Sequence, residues 1–188
     1  MALPLCLILI TYDYALGRQP ANRLSCSSSL PKEALKEIAA RFKGWRILEK
    51  KDINSVGQTL WDKTRAGECP GIAAGNYDDS NVKGYAILII PRDSVKRQIK
   101  LLLFQENSSE KYAARIIYEA VTARHSYPVI YKGEPGTYTE TASDDYGEDD
   151  RADSIKTKHD VIICKFIKKG ALAFYYKNGK FYELAISD

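Results

Sequence analysis

Two histidines and four cysteines are the side chains of this sequence best suited to nucleophilic or acid–base chemistry. His159 stands next to Asp160 at the start of an expected strand, where adjacent side chains point to opposite faces, so the two do not form a dyad. Pairing Cys69 with His159 would give an activated thiol, but we expect Cys69 to be structural. The sequence also lacks the G-x-S-x-G, P-loop, G-x-G-x-x-G and H-E-x-x-H motifs. We therefore predict a protein without catalysis, with a hydrolase as the weakest alternative.

The cysteines are spaced for structure and not for zinc. Cys6, Cys26, Cys69 and Cys164 include no C-x-x-C pair, which argues against a zinc knuckle. Cys69 and Cys164 both fall in the expected folded body, and they are our disulfide candidates if the compartment is oxidising. Two buried free thiols are the alternative.

The acidic segment 140–153 is the second concentration of reactive groups. It carries seven acidic residues and one arginine, so its net charge is −6 in a chain whose net charge is +4. Acids crowded into one polar loop are usually solvated and lack the apolar pocket that raises a carboxyl pKa, which argues against glycoside chemistry. We predict an acidic surface loop, and a site for a cationic partner or a metal is the sharper alternative. The residues expected to contact a basic partner are Asp144, Asp145, Asp149 and Asp150.

Length and composition set the class of protein. The chain has 188 residues, is 45% hydrophobic and is 28% charged, which fits one folded domain and excludes both wholesale disorder and a membrane bundle. A pI of about 8.7 is too weakly basic to indicate a nucleic-acid partner.

The N-terminal residues 1–25 have two interpretations. The apolar run 2–11 has the length of a signal-peptide core and is too short to span a bilayer, so we expect export to the periplasm or beyond the cell and no integral membrane span. If the run is retained, residues 7–12 form a strand that pairs with a sheet edge of the same or a neighbouring molecule.

The elements that position these groups follow from hydrophobic spacing in a single domain, residues 27–188. Serines 27–29 and Pro31 predict a helix start, and the apolar residues from Leu35 to Phe42 follow at helical spacing. We expect residues 50–67 to be irregular, with Trp61 as an anchor. The residues 111–121 suit either a helix or a strand, and the tight turn before them favours a strand. Together with Asn178-Gly179, a strong hairpin signal, these features predict an α+β fold with one N-terminal amphipathic helix packed on a mainly antiparallel, meandering sheet. The other expected strands are 72–77, 85–90, 99–105, 129–132, 137–141, 160–167, 171–177 and 180–186.

The segment 69–86, CPGIAAGNYDDSNVKGYA, resembles the calcium loop of FG-GAP or VCBS-type repeats. With KHDVI at 158–162, AFYYKNGKF at 173–181 and the end ISD, it is similar to small exported bacterial proteins of unassigned function. The resemblance covers 30–188 and implies a compartment and a fold but no activity. It places the ligand positions on Asn76, Asp78, Ser80 and Gly84, of which Asp78 alone keeps a carboxylate. Calcium affinity depends on ligand number and charge, so we expect weak binding or none, and no other cofactor.

Tyrosine is the one compositional excess, with 13 residues. Tyrosine suits a half-buried sheet face and also an interface, and Tyr175 is our candidate for partner contact. We predict a non-catalytic exported binding protein, of the inhibitor or immunity kind, whose partner is another protein. The alternative is a self-assembling structural subunit that donates its N-terminal strand.

Overall fold

The computed structural model describes residues 25–93, 97–106, 112–122, 127–141, 154–167 and 169–186. Within these ranges lie two α-helices and eleven strands, and the predicted α+β class is confirmed. None of the described helices combines the length and the apolar composition needed to cross a bilayer. The helices are α1 (Lys32–Arg41) and α2 (Ser55–Arg65), and the strands are β1 (Trp45–Ile47), β2 (Ile72–Gly75), β3 (Gly84–Pro91), β4 (Gln98–Glu106), β5 (Tyr112–Val121), β6 (Val129–Gly133), β7 (Thr137–Thr139), β8 (Ser154–Lys156), β9 (Val161–Phe166), β10 (Gly170–Lys177) and β11 (Lys180–Ile186).

All described strand pairs are antiparallel. The first sheet has the order β1-β3-β4-β5, and β2 also pairs with β3. β1 and β2 lie end to end along one edge of β3, since β1 pairs with 89–91 and β2 pairs with 84–87. The second sheet has the order β11-β10-β9-β6, and β7 pairs with β8 as a separate ribbon.

The main core lies between the two larger sheets and follows from side-chain alternation. On β4, Leu101 and Leu103 point into this core, whereas Leu102 and Phe104 point to the opposite face. The second sheet contributes Ile162, Cys164 and Phe174, among others, from its facing side. A ribbon of β7 and β8 covers part of the outer face of the second sheet through Tyr138 and Ile155.

Helix α1 covers the outer face of the first sheet, as predicted. Ala34, Ile38 and Phe42 are buried there at helical spacing against residues of β3 and β4. The predicted serine cap is wrong, because Cys26–Ser29 forms a separate 3₁₀ turn and Pro31 occupies the cap position with no side-chain hydrogen bond. Proline suits the position because the first turn of a helix does not need its N–H.

Helix α2 corrects the expectation of an irregular segment over 50–67. Its N-cap is Asn54, whose side chain accepts a hydrogen bond of 2.8 Å from the N–H of Gly57. Only Gly57 and Trp61 of this helix are buried, while Val56 and Leu60 remain exposed. The apolar pattern is therefore too sparse to predict a helix, although the cap signal was present in the sequence.

Two turn-based predictions are confirmed. Residues 112–121 form the edge strand β5, with a register irregularity opposite Leu101 and Leu102. Asn178 and Gly179 join β10 to β11, and both have positive φ, as a two-residue hairpin turn requires.

Candidate functional site

Within the described residues, a disulfide joins Cys26 to Cys69, with the Cα atoms 5.4 Å apart. The predicted pairing of Cys69 with Cys164 is therefore wrong. Cys164 is a free thiol on the inward face of β9, and burial raises its pKa to about 12. It lies in the main core between the sheets. Of the two cysteines in the predicted pair, Cys164 is therefore the one that is a buried free thiol.

An open groove of about 650 Å³ lies beside this disulfide. One wall runs from the last residue of α2, Arg65, to Cys69, and the floor is β2 with Ala73 and Ala74. The other walls come from the start of β3 and from β6. The polar and aromatic residues that line the groove are Arg65, Glu68, Lys83, Tyr85, Tyr131, Lys132 and Glu134.

Local backbone contacts hold the groove walls in place. The indole N–H of Trp61 donates to the carbonyl of Glu68 over 3.0 Å, which ties the end of α2 to the turn after it. The backbone N–H of Ile130 donates to the carbonyl of Pro70 over 2.8 Å and brings β6 beside β2. Gly71 lies so close to the Leu48 carbonyl that a Cβ there would collide with it. The groove is thus framed by the disulfide, the core and strand pairing.

The cations of the groove rest on aromatic rings. The guanidinium carbon of Arg65 lies 3.9 Å from the centre of the Tyr131 ring, and the ammonium of Lys83 lies 5.6 Å from the centre of the Tyr85 ring. Such contacts orient a cation while leaving its remaining hydrogen-bond donors available.

Two carboxylates at the rim pair with groove cations. Glu68 lies 3.3 Å from Arg65, and Glu134 lies 2.7 Å from Lys132. The cations are less exposed than their partners, at 28% against 56% for Arg65 and Glu68, and at 37% against 74% for Lys132 and Glu134. Its hydrogen bond to Glu134 raises the pKa of Lys132, so this lysine stays charged at neutral pH. The inner surface of the groove is therefore the cationic part.

The predicted calcium-type loop lies near one end of the groove. The Oδ1 atom of Asp78 accepts hydrogen bonds from the backbone N–H and the hydroxyl of Ser80, at 3.0 and 2.5 Å. Burial alone would raise the pKa of Asp78, but the hydrogen bonds from Ser80 lower it overall. Asn76 offers its backbone N–H to the Asp160 carboxylate over 2.8 Å. The loop residues thus bond to each other and to Asp160, the residue before β9. The described residues contain no cluster of three or more His, Cys, Asp or Glu suited to a metal.

The predicted strand start at His159 and Asp160 is wrong, because both residues lie before β9, but their side chains still have different partners. His159 Nε2 lies 2.9 Å from Asp79 Oδ1, whereas Asp160 faces Asn76 and lies 3.9 Å from the Lys132 ammonium. The loop and the groove are therefore connected through Lys132.

Tyr77 is a buried polar group beneath the same loop. Its ring packs against Gly75 and Gly84, and its hydroxyl finds no hydrogen-bond partner within the described chain. Burial, with a smaller effect of Asp160, raises its pKa well above the ordinary value of 10.0. The hydroxyl is therefore neutral at physiological pH.

The remaining predicted partner-binding residues divide into two groups. Tyr175 lies on the outer face of the second sheet and stacks on Tyr182, with ring centres 5.7 Å apart. This face is distinct from the groove lining. Asp144, Asp145, Asp149 and Asp150 lie outside the described residues, as does the N-terminal segment up to residue 24.

Sequence reasoning missed the groove because its residues come from four separate parts of the chain. The basic residues Arg65, Lys83 and Lys132 are not clustered in sequence, and no motif joins them. A usable signal was the nearness of a base to a tyrosine in Lys83-Gly84-Tyr85 and in Tyr131-Lys132, although the cation that lies over Tyr131 is Arg65 from another part of the chain.

Comparisons with protein-family models, with curated proteins and with solved structures found no match to this chain.

Proposed function

We propose that this chain is a non-catalytic, exported binding protein that holds a protein partner in the groove beside its disulfide. The observation that supports this function most is the Cys26–Cys69 disulfide, which links the turn before α1 to the groove wall. Disulfides of this kind persist in oxidising compartments, which agrees with the signal-like run at the N-terminus.

The groove suits binding better than catalysis. Its volume of about 650 Å³ falls in the range of ligand sites. Among the described residues, its lining combines cations, tyrosine rings and strand backbone with Ser29, Glu68 and Glu134, and it includes no free cysteine thiol and no histidine. Cys69 is in the wall but is oxidised.

A substitution that fills the groove tests this proposal. Ala74→Trp places a large side chain on the groove floor, and Gly136→Ala serves as the control because its Cβ would meet nothing closer than 3.9 Å. Both variants and the wild type are immobilised and exposed to the exported fraction of the source cells. Captured protein is identified by mass, and its affinity is remeasured with purified components.

We expect the groove-filled variant to bind the identified partner at least about tenfold more weakly, which corresponds to about 1.4 kcal/mol. The control should bind like the wild type. Equal affinity of a folded Ala74→Trp variant with its disulfide intact would remove the groove from the function.

Self-assembly is the second candidate, and the edge strand β5 favours it. β5 is ten residues long and exposes Ile116 and Val121, the latter by 75%. Two features oppose edge pairing: the irregular register at Leu101 and the side chain of Arg41, which donates to the Ala114 carbonyl over 3.1 Å. Deleting residues 1–17 should abolish oligomers if the N-terminal strand is donated, and oligomers that survive the deletion would reject it.

A further inference from the structure

The groove presents cations whose own carboxylate partners are displaceable. Glu68 and Glu134 stand at the exposed rim and pair with Arg65 and Lys132 below them. Ion pairs at such exposure contribute little, typically less than about 1 kcal/mol each. An incoming carboxylate that is held by further contacts can therefore replace them at small cost.

Lys83 adds a third cation on the opposite wall. Its ammonium rests over Tyr85, and within the described chain it has no carboxylate within 4 Å. Arg65, Lys83 and Lys132 thus surround the groove floor from separate walls. A ligand that pairs with all three of them carries more than one negative charge.

The floor itself offers backbone groups. β2 pairs with β3 on one side, and its residues from Ile72 to Ala74 line the groove. β6 lines another side of the groove. The backbone N–H of Ile130 in β6 donates a hydrogen bond to the carbonyl of Pro70, which precedes β2. Within the described chain no backbone hydrogen bond joins β2 itself to β6, and the Ile72 N–H donates instead to the Cys69 carbonyl over 3.2 Å, which leaves Ala74 as the residue of β2 whose backbone faces the groove unpaired. Unpaired strand backbone in a groove is the feature that recognises an extended peptide.

We infer that the groove takes an extended acidic peptide segment of a partner protein, whose backbone pairs along β2 while its carboxylates bind Arg65, Lys83 and Lys132. This inference rests on the proposed function and names the chemistry of the partner. The net charge of +4 and the three cations of the groove favour an acidic over a basic partner at this surface. A glycan is disfavoured because a cation already lies over one face of each of the two rings, Tyr85 and Tyr131, where a sugar would stack.

Fluorescence anisotropy with a labelled peptide of alternating glutamate and valine tests the inference on the full disulfide-bonded chain. The control ligands are the lysine–valine peptide of the same length and a glutamate–valine peptide with N-methylated backbone. The glutamate peptide should bind, the lysine peptide should not, and N-methylation should weaken binding by at least about tenfold because it removes the strand-pairing donors.

Three sets of variants assign the contacts. Replacing Arg65, Lys83 and Lys132 together by alanine should weaken binding at least about tenfold. Replacing three lysines of the second sheet's hairpins, Lys169, Lys177 and Lys180, removes the same charge elsewhere and should change the affinity less than about twofold. Glu68→Gln with Glu134→Gln should tighten binding severalfold, because the rim carboxylates no longer compete. Circular dichroism and non-reducing mass measurement check the fold and the disulfide of each variant.

If the groove set (Arg65, Lys83, Lys132) and the hairpin set (Lys169, Lys177, Lys180) lose the same affinity for the glutamate peptide, the attraction is a general charge effect and the inference is overturned. Equal affinity for the glutamate and the lysine peptides would overturn it as well. If the wild type is a dimer and the Ala74→Trp variant is a monomer, the occupant of the groove is a second copy of the chain, which would also overturn the inference. If the acidic peptide fails while Ala74→Trp still loses the identified partner, the groove function stands and only the ligand chemistry is wrong. If Ala74→Trp keeps that partner, the groove function itself fails.

Discussion

The disulfide between Cys26 and Cys69 connects the turn before α1 to the wall of the groove across 43 residues of sequence. It therefore ties two things together: the helix that covers the first sheet and the segment that enters β2. Closing a loop of this length restricts the unfolded chain, which is the main source of a disulfide's stabilisation.

Removing this disulfide should destabilise the protein. We expect Cys26→Ser combined with Cys69→Ser to lower the free energy of unfolding by about 2–4 kcal/mol, measured by urea denaturation. Reductant should lower the wild-type midpoint and leave the double variant unchanged. A wild-type midpoint that reductant does not move would contradict the pairing.

Cys164 should resist thiol reagents at pH 8 in the folded state, because it is buried and its pKa is raised to about 12.

The ion pair between Arg46 and Asp52 should make stability depend on pH. Two hydrogen bonds of 2.5 and 2.6 Å join the guanidinium to the carboxylate, and the Asp52 side chain is only 9% exposed. Burial alone would raise the pKa of Asp52, but the bonds from Arg46 and from the Glu49 backbone lower it overall below its ordinary 3.8. The folded-state pKa is thus depressed, so the contribution is complete above pH 3.8 and is lost as the pH falls through the lowered pKa.

We expect Asp52→Asn to cost about 2 kcal/mol at pH 7 and less at pH 2, measured by urea denaturation at both values. Asp62→Asn is the matched control, since Asp62 pairs with Lys50 at about half exposure of both side chains. It should cost less than about 0.5 kcal/mol. A loss at Asp52 that is the same at both pH values would show that ionisation is not its source.

Gly71 should tolerate no side chain. A Cβ at this position collides with the backbone carbonyl of Leu48, and neither backbone can move without disturbing the bonds that both make to Leu88. We expect Gly71→Ala to cost about 1–3 kcal/mol in thermal or urea unfolding. Gly136→Ala has open space and no positive φ, so its stability should stay within about 0.5 kcal/mol of the wild type. Equal effects of the two substitutions would refute the steric argument.

Calcium should leave the thermal stability unchanged. The Asp78 oxygen that a cation would need is already bonded to Ser80, and Asn76 and Ser80 bring no negative charge. We expect the melting temperature to move by less than about 1 °C at about 1 mM calcium, the range in which weak extracellular sites fill. A rise of several degrees, absent in an Asp78→Asn variant, would establish a site in the loop.

The strands were predictable because their signals are local. Residues 112–121 have helical spacing as well as strand character. The turn residues that precede them in the sequence favoured a strand, and the segment is the strand β5. Asn178-Gly179 predicted the hairpin of β10 and β11 because both turn residues need positive φ, which these two adopt at low cost. Helix α2 escaped prediction because Trp61 is its single large buried side chain.

By itself, the sequence determined the α+β class, the face of α1 that is buried, and the position of most strands, since alternation and turn chemistry act over a few residues. Only the tertiary structure decided which cysteine bonds to Cys69, because a pairing over 43 residues depends on where the chain returns and not on spacing. It likewise decided the groove, where α2's end, β2, β3 and β6 bring Arg65, Lys83 and Lys132 together. Their proximity arises from sheet pairing and the disulfide, which are long-range contacts that no local pattern encodes.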